Sequence, residues 1–226
     1  MGGNREAGLA RLRQQPPEPR ALSTEEVRGV VDEFRNAARR AVKAGADGVE
    51  VHGARGYLVH SFLGMNSNQR TDIYGGGIAN RARFAAAVAD EIGASRTAVR
   101  LSPFNTFGDI DEGSDGAELY GHLAAWLDEL GLAYLHVYDF GRDDVLTQIR
   151  DAWRGPLFVI RDGRGPKDLL RAPETGLADI VPVGKLALAN PDFVDRWHAG
   201  GPFNAPDPET MFGGDDHGYT DYPDLG

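Results

Sequence analysis

The chain has 226 residues, 41% of them hydrophobic and 26% charged, the composition of an ordinary globular protein with enough chain for a sizeable core. Its 24 Lys and Arg face 34 Asp and Glu, a formal net charge of −10, which argues against nucleic-acid or anionic-membrane partners because both select a basic surface. Cysteine is absent, so disulfides, thiolate metal sites and a cysteine nucleophile are excluded within this sequence, and there is no run of about 18 apolar residues to cross a bilayer. The first twenty residues lack the apolar stretch of a signal peptide, so the cytoplasm is the expected compartment.

Residues 1–22 are polar, proline-containing and aperiodic, and read as a loop. Ser23-Thr24-Glu25-Glu26 has the form of a capping box, and Val27, Val30, Val31, Phe34, Ala38, Ala41 and Val42 then recur at helical spacing up to Gly45. The stretch 48–52 (GVEVH) predicts a buried strand. The same alternation repeats: loop 53–78, helix 79–93, strand 97–102; helix 116–130, strand 134–138; helix 143–153, strand 157–161; helix 166–172, strand 179–183; and a last helix near 191–199. Glycines at 45, 131 and 176 each stand between a helix and the next strand, as C-cap glycines do. Alternating helices and buried strands predict a parallel α/β sheet with right-handed crossovers, either doubly wound or a barrel. Residues 23–199 are expected to form this domain. The tail 200–226 is rich in Gly, Pro and Asp but carries Phe203, Met211, Phe212, Tyr219 and Tyr222, and is expected to wrap the domain.

His52 ends the first strand, and Arg55 and Tyr57 follow in a glycine-flanked turn (HGARGY). The C-terminal ends of parallel strands are where α/β folds place ligand contacts. Gly53 and Gly56 would let the backbone turn tightly beside a ligand. His60, His122, His136 and His198 have no motif partner and read as core or surface histidines; their spacing suggests no metal site.

Residues 62–84, FLGMNSNQRTDIYGGGIANRARF, carry a far more specific pattern. Asn68, Arg70, Thr71, Asp72, Tyr74, Gly75, Gly76, Asn80, Arg81, Arg83 and Phe84 match the signature of the old yellow enzyme family of FMN-dependent oxidoreductases. The resemblance extends through Arg100-Leu101-Ser102-Pro103 and Ala189-Asn190-Pro191-Asp192 to Gly218-Tyr219-Thr220-Asp221-Tyr222-Pro223, roughly residues 18–223. Within that signature, Asp72, Asn80, Arg81 and Arg83 read as structural, since a long loop needs internal polar partners.

The resemblance implies a (β/α)8 barrel with FMN at its C-terminal face and NAD(P)H as reductant. It implies that His52 holds the carbonyl or nitro oxygen of an electron-poor alkene. Tyr57 would protonate the α-carbon after hydride reaches the β-carbon from flavin N5. Arg100 would lie near flavin N1 and O2, Gly163 and Gly184 at the FMN phosphate, and Phe212 beside the substrate. Seven positions depart from the family. Arg55 replaces His or Asn, and could bind a carboxylate-bearing substrate or fill the pocket. Asp162 replaces a phosphate-site glycine, where a carboxylate repels unless it turns away. Lys185 replaces Arg, keeping the charge but losing the fork. Gly64, Met65, Gly77 and Ala79 alter the signature loop. The five expected strands match the family's last five, so the chain is expected to supply about five βα units of a partial barrel. The missing strands would come from upstream sequence or a separate chain, or the chain would self-associate. The alternative is a barrel portion without flavin, acting as a non-redox partner subunit or inactive fragment.

Overall fold

In a computed structural model, residues 19–161, 165, 168, 169, 171–211 and 215–225 are described. They fall into two compact units, Leu22–Pro182 and Val183–Gly226 together with the residues before Leu22. The expected domain 23–199 spans the boundary between them.

The first unit begins with helix α1 (Thr24–Lys43). Its capping box forms as the sequence predicts: the Glu26 N–H donates to Ser23 Oγ at 3.1 Å and the Ser23 N–H to Glu26 Oε2 at 2.6 Å. Strands β1 (Val49–Gly53), β2 (Thr97–Leu101), β3 (Tyr134–Asp139) and β4 (Leu157–Arg161) form one parallel sheet in chain order. A short helix α2 (Leu58–Leu63) and helix α3 (Ile78–Ile92) connect β1 to β2; α4 (Gly116–Leu130) and α5 (Asp143–Ala152) make the next two crossovers. Neighbouring helices pack in sequence, α1 on α3, α3 on α4, α4 on α5.

The two faces of the sheet differ in chemistry. Side chains alternate along a strand, so register partners share a face. Val51, Val99, Leu135 and Leu157 form one cross-strand row; Gly53, Leu101, Val137 and Val159 form another. These are buried in one apolar core with Val27, Val31, Phe84, Val88, Leu123, Leu127, Leu146 and Ile149 from the helices. The opposite face carries the row His52, Arg100, His136, Phe158, flanked by Glu50, Ala98 and Tyr134 on one side and by Tyr138 and Ile160 on the other.

The expected fifth strand, 179–183, is not a strand. Ile180 makes a single bridge to Phe158, with the Val159 N–H donating to Ile180 O and the Ile180 N–H to Leu157 O. The next donor in that ladder would be residue 182, which is proline and has no N–H. The sheet therefore has four strands among the described residues where five were expected. The expected helix 166–172 lies partly outside the described residues; the helix seen there, α6, is Arg171–Glu174.

The second unit holds α7 (Lys185–Leu188) and α8 (Phe193–Ala199). Buried Arg196 pairs with Asp192 at 2.5 Å and donates to Pro202 O and Pro223 O, and the Leu225 N–H donates to Asp192 Oδ2. Phe193, Trp197 and Phe203 cluster by their rings. The aromatic-rich tail is thus tied to α8 within its own unit.

Candidate functional site

The polar face of the sheet ends in a tight turn. Arg55 has φ of 54° and Gly56 of 77°, both in the left-handed region, and the Arg55 N–H donates to Ser102 Oγ at 2.8 Å. A Cβ on Gly56 would stand 2.4 Å from Phe107 O, so glycine is required there by the passing 102–115 loop rather than by a ligand alone. The turn carries Tyr57 back over the strand: its ring lies 5.2 Å from that of His52, and its side chain is exposed. His52 and Arg100 are register partners. The Arg100 guanidinium lies 5.6 Å from the Tyr138 ring centre, and that of Arg55 lies 5.3 Å from the same ring and 5.0 Å from Phe107. Of the expected site residues, His52, Arg55, Tyr57 and Arg100 are therefore brought together.

The charges on this face are arranged unevenly. Burial pushes the Glu50 carboxyl up, but hydrogen bonds from His136 Nδ1 at 2.9 Å and from the Tyr134 hydroxyl, with the Arg100 charge, hold it below its usual value. Burial and the bond to Glu50 push the Tyr134 hydroxyl up to about 12. Burial and the positive charge of Arg100, with smaller contributions from His60 and Arg55, outweigh Glu50 and hold His52 below the ordinary histidine value of 6.5. His52 is therefore neutral at pH 7. Arg100 Nε and His136 Nε2 are both buried without a hydrogen-bond partner among the described residues.

Behind the turn lies a buried polar cluster that the sequence did not single out. The Gly56 N–H donates to His60 Nδ1 at 2.9 Å, which leaves the proton of a neutral ring on Nε2, 3.0 Å from Glu112 Oε1. The same oxygen accepts from the Tyr120 hydroxyl at 2.8 Å and the Phe104 N–H at 3.0 Å. Burial and the neighbouring Glu112 raise the Tyr120 hydroxyl well above its ordinary value. His60, Glu112 and Tyr120 are up to 60 residues apart, so no local spacing could connect them.

The signature loop is structural, as expected. Asp72 takes bonds from Arg70, from Thr24 Oγ1 at 2.5 Å and from the Tyr74 N–H, pinning the loop to the start of α1. Asn68 donates to Phe62 O and Tyr74 O, each at 2.7 Å. Arg81 donates to Leu63 O, Glu112 O and Asp115, and Arg83 to Ile73 O and Asn80.

Two of the remaining candidates belong to the second unit. Gly184 precedes α7, Lys185 begins it, and a Cβ on Gly184 would meet open space. Asp162, Gly163 and Phe212 lie outside the described residues. A cleft of about 340 Å³ is lined by Phe104, Thr106 and 109–112, none of them an expected site residue. Among the described residues no group of three His, Asp or Glu could hold a metal ion, and no helix is long and apolar enough to cross a membrane.

Comparison with known proteins places these features. Residues 4–204 match the family described as NADH:flavin oxidoreductase / NADH oxidase. A probable flavin mononucleotide-dependent alkene reductase of Leishmania infantum is 42% identical over 93% of this chain and 59% of its own length. 12-Oxophytodienoate reductase 2 of Arabidopsis thaliana is 39% identical over 96% of this chain and 61% of its own. The solved structure of morphinone reductase superposes with a TM-score of 0.86 at 37% identity, covering 94% of this chain and 59% of that one. The chain thus spans about three-fifths of the length of these relatives. The four-stranded sheet with its crossover helices is part of their (β/α)8 barrel fold. The chain belongs to the NADH:flavin oxidoreductase / NADH oxidase family, the old yellow enzymes.

Proposed function

We propose that the protein reduces the C=C bond of an activated alkene, an enone or nitroalkene, with FMN as cofactor and NAD(P)H as reductant. The observation that carries this reading is the row at the end of the polar face: His52 beside Arg100, the Tyr57 ring 5.2 Å from His52, and a buried Arg100 Nε with no partner among the described residues. A buried, uncommitted guanidinium N–H fits an anionic acceptor such as the pyrimidine edge of a reduced flavin. Arg100 would hold that edge. FMN, when bound, supplies hydride to the β-carbon of the alkene. The residues of the chain supply the rest. His52, neutral at pH 7, donates an N–H to the carbonyl or nitro oxygen, stabilising the negative charge that develops there. Tyr57 gives its hydroxyl proton to the α-carbon, and its 58% exposure lets water restore that proton directly.

The protein loaded with FMN is expected to oxidise NADPH when cyclohexenone is present. Tyr57→Phe should slow alkene reduction on the order of 100-fold or more while leaving flavin reduction within about twofold. Equal slowing of both half-reactions would remove the proton-donor role. No NADPH oxidation at all would favour a non-redox barrel portion.

A further inference from the structure

Among the described residues, Arg55 has a charge and no carboxylate to answer it. It makes no ion pair and donates no side-chain hydrogen bond among the described residues; its guanidinium contacts are the faces of Phe107 and Tyr138. Stacking of that kind holds the plane of the guanidinium and leaves its in-plane N–H fork free. The position is built. Arg55 adopts a left-handed backbone conformation that disfavours a side chain, and its N–H is fastened to Ser102 Oγ. Other charges on the face do not offset it. Glu50 is engaged by His136 and Tyr134, His52 is neutral at pH 7, and Arg100 adds a second cation beside the same Tyr138 ring. In a chain of net charge −10, this patch is cationic and incomplete.

From this geometry we infer that Arg55 is a specificity-determining residue that selects alkene substrates bearing a carboxylate on a short saturated tether. A planar fork matches a carboxylate with two parallel N–H bonds, which a neutral ester cannot accept with the same charge assistance. Phe107, an exposed aromatic against the Arg55 guanidinium, offers an apolar surface for the tether. The inference rests on the alkene-reductase reading for the identity of the reacting group. The anion site itself does not depend on it.

The test uses two matched pairs. 6-Oxoheptanoate and its methyl ester, which cannot be reduced at C=C, are titrated by calorimetry. 6-Oxohept-4-enoate and its methyl ester are compared for kcat/KM with FMN and NADPH present. The acid is expected to bind about tenfold or more tighter than the ester. Arg55→Gln should collapse that ratio to near one, and Arg55→Lys should leave it intermediate. Raising salt to about 0.5 M should weaken the acid and spare the ester, a check that needs no variant. An acid-to-ester ratio near one in the parent, or one unchanged by Arg55→Gln, overturns the inference. An Arg55-dependent binding preference without turnover of either enone would keep the anion site and remove the reductase reading. Turnover of both enones without preference would do the reverse.

Discussion

The polar residues behind the Gly56 turn and those in front of it follow opposite rules. Behind it, Glu112 accepts from His60, Tyr120 and Phe104, and both terminal nitrogens of Arg81 are committed, only its Nε being buried without a partner among the described residues. In front of it, among the described residues, His52, Arg55, Tyr57 and Arg100 touch rings and carry almost no side-chain hydrogen bonds, and Arg100 Nε is buried without a partner. A buried polar group without a partner costs folding energy. The Arg81 Nε shares that state, but in a side chain whose two terminal nitrogens are engaged; in the front row the neighbouring side chains are uncommitted as well, which marks it as built for something other than stability. The rear cluster holds the turn; the turn presents the front row.

That contrast can be broken experimentally, and the largest effect should come from the rear. Glu112→Ala removes the shared acceptor of three buried donors and should lower unfolding free energy by about 3 kcal/mol in urea titrations. His52→Ala should change it by less than about 0.5 kcal/mol. Equal losses would erase the distinction. Asp72→Asn weakens the pin between loop and α1 and should cost about 2 kcal/mol. The Arg70 hydrogen bond and charge hold the Asp72 carboxyl well below its ordinary value, so its contribution is present above the unfolded pKa of about 4 and fades as pH falls through the folded one. The variant should lose that acid-side slope, and an unchanged slope would contradict the pairing.

The next effect lies in front. Arg100→Met should weaken FMN binding about tenfold or more while leaving stability unchanged or slightly raised, because it removes an unpartnered buried N–H. It should also raise the His52 titration midpoint, read by NMR, because a neighbouring like charge has gone. A fall in stability would show that Arg100 belongs to the structural set. The smallest effect is at Gly77, which starts α3 without a side-chain cap and with open space around it. Gly77→Ser should add about 0.5 kcal/mol. A loss there would mean the added hydroxyl does not reach the α3 amides.

Much of this was legible in the sequence. The four strands and their helices follow from period and glycine punctuation, and the Ser23–Glu26 cap was readable to the residue. The structural role of Asp72, Asn80, Arg81 and Arg83 follows from the need of a long loop for internal partners. Three things were not legible. The six residues of α2 are too few for a helical period to stand out. Pro182 was visible, but its effect depends on which atom of β4 awaited a donor. His60 and Glu112 lie 52 residues apart, and only the fold brings them together. At the site, sequence named His52, Arg55, Tyr57 and Arg100 as candidates, but not that Arg55 stacks on two rings with no acid beside it among the described residues.

Titration of the protein with FMN, followed by quenching of flavin fluorescence, tests the central claim most directly. Saturable binding at one flavin per chain, weakened about tenfold or more by Arg100→Met and unaffected by Gly77→Ser, is the predicted result. Flavin fluorescence that stays unchanged across the titration, or binding indifferent to Arg100, would contradict it.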